Sequence, residues 1–143
     1  MKAIQKLGIL VLFISVLFGC ENNEDAIDEN SIVGNWKLTA AYISSGGPQY
    51  WVSVDDGYQL SFSGNETFTS TQYTECEDGV FFINSDMSVL SFLYGCNGFT
   101  TAAQNSNGLI TYAIKTFDKD SFILTPTSGP ICIEGCSYKF ERL

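Results

Sequence analysis

From Ser31 onward the chain alternates apolar and polar positions in short runs. Trp36, Leu38, Ala40 and Tyr42 share one parity. Tyr58, Leu60 and Phe62 do the same, with Gln59, Ser61 and Ser63 opposite. Thr67 to Thr74 is rich in threonine and aromatics, and Val80 to Ile83 is apolar. Leu90, Phe92 and Tyr94 alternate with Val89, Ser91 and Leu93; Ile110, Tyr112 and Ile114 precede Phe122 and Leu124; Tyr138 and Phe140 alternate with Ser137, Lys139 and Glu141. Period-two alternation of β-branched and aromatic residues predicts strands, because successive side chains of a strand leave on opposite faces. The breaks carry turn residues: Gly46-Gly47-Pro48, Asp55-Asp56-Gly57, Gly64-Asn65, Asp78-Gly79, Asn84-Ser85-Asp86, Asn97-Gly98, Asn107-Gly108, Asp118-Lys119-Asp120 and Ser128-Gly129-Pro130. Short links at roughly ten-residue spacing predict an all-β, antiparallel, up-and-down barrel of about eight strands. A two-sheet sandwich is the alternative. Closure is favoured because it removes the edge strands that would otherwise aggregate.

The first thirty residues follow a different pattern. Lys2 and Lys6 precede an apolar run from Leu7 to Gly19, and acids follow it. A spanning helix needs about 20 apolar residues. This run is shorter and lacks a basic stop-transfer flank, so 1–19 is expected to be a cleaved, helical signal peptide. Leu17-Phe18-Gly19-Cys20 resembles the lipobox of bacterial lipoproteins, with Phe18 bulkier than usual. The resemblance implies a diacylglycerol on the Cys20 sulfur and an acyl chain such as palmitate on the new N-terminus. Such multiple acylation makes a stable membrane anchor. The competing expectation is a free or disulfide-bonded Cys20 in a plain secreted protein. Residues 20–30 hold the acids Glu21, Glu24, Asp25, Asp28 and Glu29 and little that can be buried. They are expected to form a flexible tether, and they also resemble the acidic surface-export signals of some bacterial lipoproteins. Residues 31–143 are left as one domain, large enough to close a core.

Cysteine, charge and histidine content narrow the chemistry. The chain has five cysteines. With Cys20 given to lipid, Cys76, Cys96, Cys132 and Cys136 remain, an even set for an oxidising compartment. Of three possible pairings, Cys76–Cys96 with Cys132–Cys136 joins nearest neighbours. The spacing lacks the paired knuckles of a zinc ribbon, so no metal is expected. Loss of the two leader lysines takes the formal charge from −9 to −11. That balance opposes nucleic acid, whose binders neutralise phosphate, and opposes an anionic membrane surface. There is no histidine, so Ser-His-Asp and Cys-His nucleophile systems are excluded. Glu75, Glu77 and Asp78 surround Cys76, but without a calcium-loop pattern they read as a solvated acidic turn. No cofactor and no enzymatic activity are expected.

Gly34-Asn35-Trp36 opens the domain and resembles the Gly-x-Trp motif at the first strand of lipocalins. "YQLSFSGNETFTS" and the closing "CSYKFERL" are similar to small lipocalin-like domains of bacterial surface lipoproteins. The resemblance implies that Trp36 plugs one barrel end and that Arg142, the only arginine, packs on its indole. It places the protein in the bacterial outer membrane, facing the surface or the periplasm. No C-terminal helix follows, unlike in full-size lipocalins. Tyr50-Trp51, between a Gly-Gly-Pro turn and Asp55-Asp56-Gly57, are candidate residues of a ligand mouth, in a loop or short edge strand. Two functions follow. One is binding of a small apolar or amphipathic molecule inside the barrel. The other is a structural or interaction subunit that docks on an envelope partner with its barrel filled. Contact of Tyr58, Phe62, Phe92, Tyr112 and Phe140 at the axis would favour the second.

Overall fold

A computed structural model describes residues 31–44, 46–130 and 136–143. The leader, Cys20, the acidic tether and Cys132 lie outside the described residues. The described chain forms nine strands and no helix: β1 (Gly34–Ile43), β2 (Tyr50–Ser53), β3 (Gln59–Phe62), β4 (Thr67–Ser70), β5 (Asp78–Ile83), β6 (Val89–Tyr94), β7 (Ile110–Phe117), β8 (Ser121–Pro126) and β9 (Ser137–Arg142). Consecutive strands from β3 to β9 pair antiparallel, and β9 returns to β1. Eight strands therefore close a barrel, and β2 is added to it.

The extra strand arises because β2 and β3 run along the same edge of β1. Ala40 to Ile43 face β2, and Gly34 to Lys37 face β3. Between them the chain bulges out through Asp55-Asp56-Gly57. Val54 N–H donates to the Thr39 carbonyl at 2.8 Å and Leu38 N–H to the Tyr58 carbonyl at 3.0 Å, which pins the bulge at both ends. Gly57 is required by close approach: a Cβ there would lie 1.9 Å from the Leu38 oxygen.

The alternation expected along β1 breaks once. Pairing with β9 shifts between Leu38 and Ala40. This β-bulge resets the parity, so Ala41 falls opposite the inward-turned Tyr138. Ala40 and Tyr42 fall on the outer side, opposite Lys139 and Ser137. The simple reading of Trp36, Leu38, Ala40 and Tyr42 as one inward row thus holds only for its first half.

Inward residues of every barrel strand build one core. Trp36, Leu38, Leu60, Phe62, Phe68, Phe81, Leu90, Phe92, Phe122, Leu124 and Phe140 are all buried. The two ends of the barrel differ. At one end lie the short links 63–66, 84–88 and 118–120, with both the start of β1 and the end of β9. This end is the floor. The segments 71–77 and 95–109 gather at the other end, the mouth, with residues 127–130 after β8.

Candidate binding site at the barrel mouth

The floor is sealed by the residues of the first and last strands. Gly34, Trp36 and Arg142 come together there. Trp36 is fully buried, and its Nε1–H donates to the Ile32 carbonyl at 2.8 Å. The Arg142 guanidinium lies over the indole, its central carbon 4.1 Å from the ring centroid. Its nitrogens donate to the carbonyls of Lys119, Val33 and Ser31 at 2.6, 3.0 and 3.0 Å. One cation thus ties the entering strand, the β7–β8 turn and the leaving strand. Gly34 makes room for this. It sits at φ 139°, and a Cβ on it would lie 2.5 Å from an Arg142 nitrogen. Phe122 closes the other face of the indole edge-on at 4.7 Å.

Above the floor the interior is aromatic. Phe62 stacks on Phe92 at 5.9 Å, and Phe92 meets Tyr112 edge-on at 5.8 Å. Phe140 meets Tyr58 edge-on at 5.4 Å. Of the five rings named from the sequence, Phe62, Phe92 and Tyr112 thus form one contact group and Tyr58 and Phe140 another. The Tyr58 and Tyr112 side chains lie near enough to act on each other electrostatically.

The interior turns polar toward the mouth. Tyr58, Tyr73, Tyr94, Tyr112 and Tyr138 act on one another electrostatically, and Ser70, only 1 % exposed, lies beside Tyr94 and accepts from Gln72 N–H at 3.1 Å. Burial pushes the Tyr58 hydroxyl well above the ordinary phenol range, and the neighbouring tyrosines push it further. Burial raises Tyr112 in the same way. Tyr94 is pushed up to about 12 by burial, against the neighbouring Ser70 hydroxyl, which pulls it down. These phenols are neutral hydrogen-bonding groups at physiological pH. They can orient a ligand's polar end, but none is poised as a base.

The mouth loops are tied to one another. Cys76 and Cys96 form a disulfide between the β4–β5 and β6–β7 segments, with Cα atoms 5.7 Å apart. Beneath it Tyr73, Tyr94 and Phe99 meet pairwise at 5.0 to 5.4 Å. On the far side Ser128 Oγ donates to the Ala103 carbonyl at 2.7 Å and accepts from Thr111 N–H at 2.8 Å. Cys136 is also disulfide-bonded, and its partner is not among the described cysteines. The expected Cys132–Cys136 bridge lies in part outside the described residues.

Two open surface grooves flank the ends. One, of about 310 Å³, runs beside the disulfide between Glu75 and Phe99. The other, of about 600 Å³, crosses the charged floor rim at Asp118, Lys119, Lys139 and Arg142. Neither is lined by those five interior rings. Among the described residues no cluster of His, Cys, Asp or Glu could hold a metal.

Tyr50 and Trp51 form the first half of β2, and neighbouring strand residues face opposite ways. They are 50 % and 45 % exposed. Trp51 packs against Tyr42 on the outer face at 5.2 Å between ring centroids, and Tyr50 is opposite Ile43. The two aromatics do not make one platform over the mouth. The tyrosine layer is what the sequence reading missed as a group, whereas the inward row Phe68, Ser70, where the face becomes polar, was legible from parity.

Compared with known proteins, the chain matches no protein-family model, no curated protein and no solved structure. An eight-stranded barrel with one added strand is the established statement, and it is compatible with a lipocalin-like binder.

Proposed function

We propose that this protein is a lipid-anchored envelope lipoprotein whose lipocalin-like barrel is a filled scaffold and whose working surface is its outside. The observation that carries this reading is the ring packing inside the barrel, Phe62 on Phe92 on Tyr112 and Tyr58 on Phe140. An eight-stranded barrel is just wide enough for side chains to fill it or for one small ligand to replace them. Here large rings take that space. The anchor rests on Gly19-Cys20 after a short apolar run. Because β1 starts at the floor, a tether ending at Ser31 leaves the mouth and β2 directed away from the membrane.

A second reading is supported by the tyrosine hydroxyls. A small amphipathic molecule with a hydrogen-bonding head would find Tyr58, Tyr94, Tyr112 and Ser70 close together beneath the mouth. One experiment separates the two. Thermal unfolding is followed across fatty acids, isoprenoids and oligosaccharides. A true ligand at a hundred times its dissociation constant adds about 2.7 kcal/mol. The scaffold reading expects no member of the panel to shift the midpoint. A saturable rise that is lost in Tyr112→Phe supports the ligand reading. Replacement of Cys20 by Ala is expected to move the protein from the membrane to the soluble fraction; unchanged partition contradicts the anchor.

A further inference from the structure

Closure pairs each barrel strand on both sides and leaves one strand paired on one side. Among the described residues β2 is held by β1 alone, at the end of the strand order. Val54 N–H points to β1, where it bonds Thr39. Antiparallel alternation then turns the peptide groups of Tyr50 and Val52 toward β1 and those of Trp51 and Ser53 toward the open side. All four residues of β2 are exposed.

An open edge is an aggregation hazard, and proteins blunt it with lysine, proline, a bulge or a covering loop. Tyr50-Trp51-Val52-Ser53 carries no charge and no proline. It carries large apolar groups on both faces instead, with Tyr42 beside Trp51 outside and Ile43 beside Tyr50 inside. Where every other described strand is paired on both sides, an edge of this composition, uncovered among the described residues, has the form of a strand-addition site. There the main chain supplies affinity and alternate side chains supply specificity.

Charge indicates what occupies it. Asp55 and Asp56 stand at the end of the edge, both exposed. Lys37 reaches the Asp55 main-chain carbonyl at 2.8 Å, and neither carboxylate is in a salt bridge among the described residues. The chain as a whole has a formal charge of −9. A second copy would bring the same charge to the contact, whereas a basic segment is attracted to it.

We propose that β2 is a docking edge that accepts an extended segment of a different protein as an added strand. That segment is apolar at alternate positions and bears Lys or Arg at the end that passes Asp55 and Asp56. The proposal rests on the scaffold reading given above and names the surface that reading leaves open.

The test uses the full chain purified in detergent, panned against a display library of random dodecapeptides. Enriched peptides are expected to alternate apolar residues and to end in Lys or Arg. They should protect the Trp51 and Ser53 amides from hydrogen exchange. Trp51→Lys, which places a charge in the edge, should weaken them by roughly tenfold or more, a loss of at least about 1.4 kcal/mol. Its melting must match the parent; if it does not fold, Asp55→Lys with Asp56→Lys takes its place and should weaken the basic-ended peptides alone. No enriched peptide, or peptides held equally by Trp51→Lys, would overturn the docking edge. Protection centred on the exposed Phe82 and Leu93 would also overturn it, while leaving an outside working surface intact. A dimer dispersed by Trp51→Lys would make the occupant a second copy and overturn the choice of partner. A small molecule bound in the barrel would instead remove the reading beneath the proposal.

Discussion

The two ends of the barrel are built from the same alternating strands but are held in different ways. At the floor, short turns bring Trp36, Phe122 and Arg142 into direct contact. Packing, one cation over one ring and hydrogen bonds to three carbonyls hold that end. At the mouth, longer segments span the opening. A disulfide, an aromatic triad and the Ser128 hydroxyl hold them, and a strand edge with exposed aromatics stays open beside them. The difference teaches that the floor sets the fold and the mouth sets what the fold presents. The two tryptophans mark it: Trp36 has no exposed surface, while nearly half of Trp51 is exposed.

The largest expected effect breaks or keeps that comparison at once. Trp36→Ala removes a buried indole and the seat of Arg142, and should cost about 4 kcal/mol in urea unfolding. Trp51→Ala should stay within about 0.5 kcal/mol. Equal losses would mean that β2 belongs to the core. Replacing Cys76 and Cys96 together by Ser opens a cross-link of sequence separation 20. This should lower stability by about 3 kcal/mol and leave the floor untouched, so hydrogen exchange should accelerate in 71–77 and 95–109 before it does near Trp36.

The tyrosine layer gives a pH signature confined to the mouth half. Tyr58, Tyr94 and Tyr112 hold their protons in the fold above the ordinary phenol value of 10. The unfolded chain loses those protons first as pH rises through 10. The folded state then binds more protons, and stability falls with rising pH. Below pH 10 both states are protonated and these groups make no difference. Each such tyrosine contributes a slope of up to about 1.4 kcal/mol per pH unit between its unfolded and folded values. Phenolate absorbance should appear for these three only together with unfolding. Early titration of all three in the native state would place them in water.

A smaller effect belongs to the floor. Arg142→Lys keeps the charge but loses the planar fork that reaches three carbonyls, and should cost about 1 to 2 kcal/mol. The smallest is on the acid side. Asp118 accepts from the N–H groups of Asp120 and Ser121, and these bonds hold its carboxyl below the usual value. Its contribution is present above the unfolded carboxylate value and fades as pH falls through the lowered one. Asp118 is fully exposed, so Asp118→Asn should be barely detectable by thermal melting.

Much of the fold was legible because burial acts through period two. The barrel, its strand number and most turns follow from alternation bounded by Gly, Asn and Asp. The Cys76–Cys96 bridge followed from nearness in sequence. What alternation cannot show is a change of parity or an added strand. The bulge after Leu38 turns Tyr42 outward, and Tyr50 to Ser53 joins β1 only because Asp55-Asp56-Gly57 loops out of the ladder. Gly64-Asn65 marked its turn, yet the left-handed residue there is Glu66, at φ 64°. The tyrosine layer was invisible for another reason. Tyr94, Tyr112 and Tyr138 lie on three different strands and Tyr58 just before a fourth, and only closure brings them together.

The account stands most directly on what fills the barrel. Native mass spectrometry of the protein extracted from its own membrane measures this in one spectrum. The account predicts a chain beginning at an acylated Cys20, with its disulfides formed and no further bound molecule. A small amphiphile retained at one per chain, and released when the barrel unfolds, would contradict it.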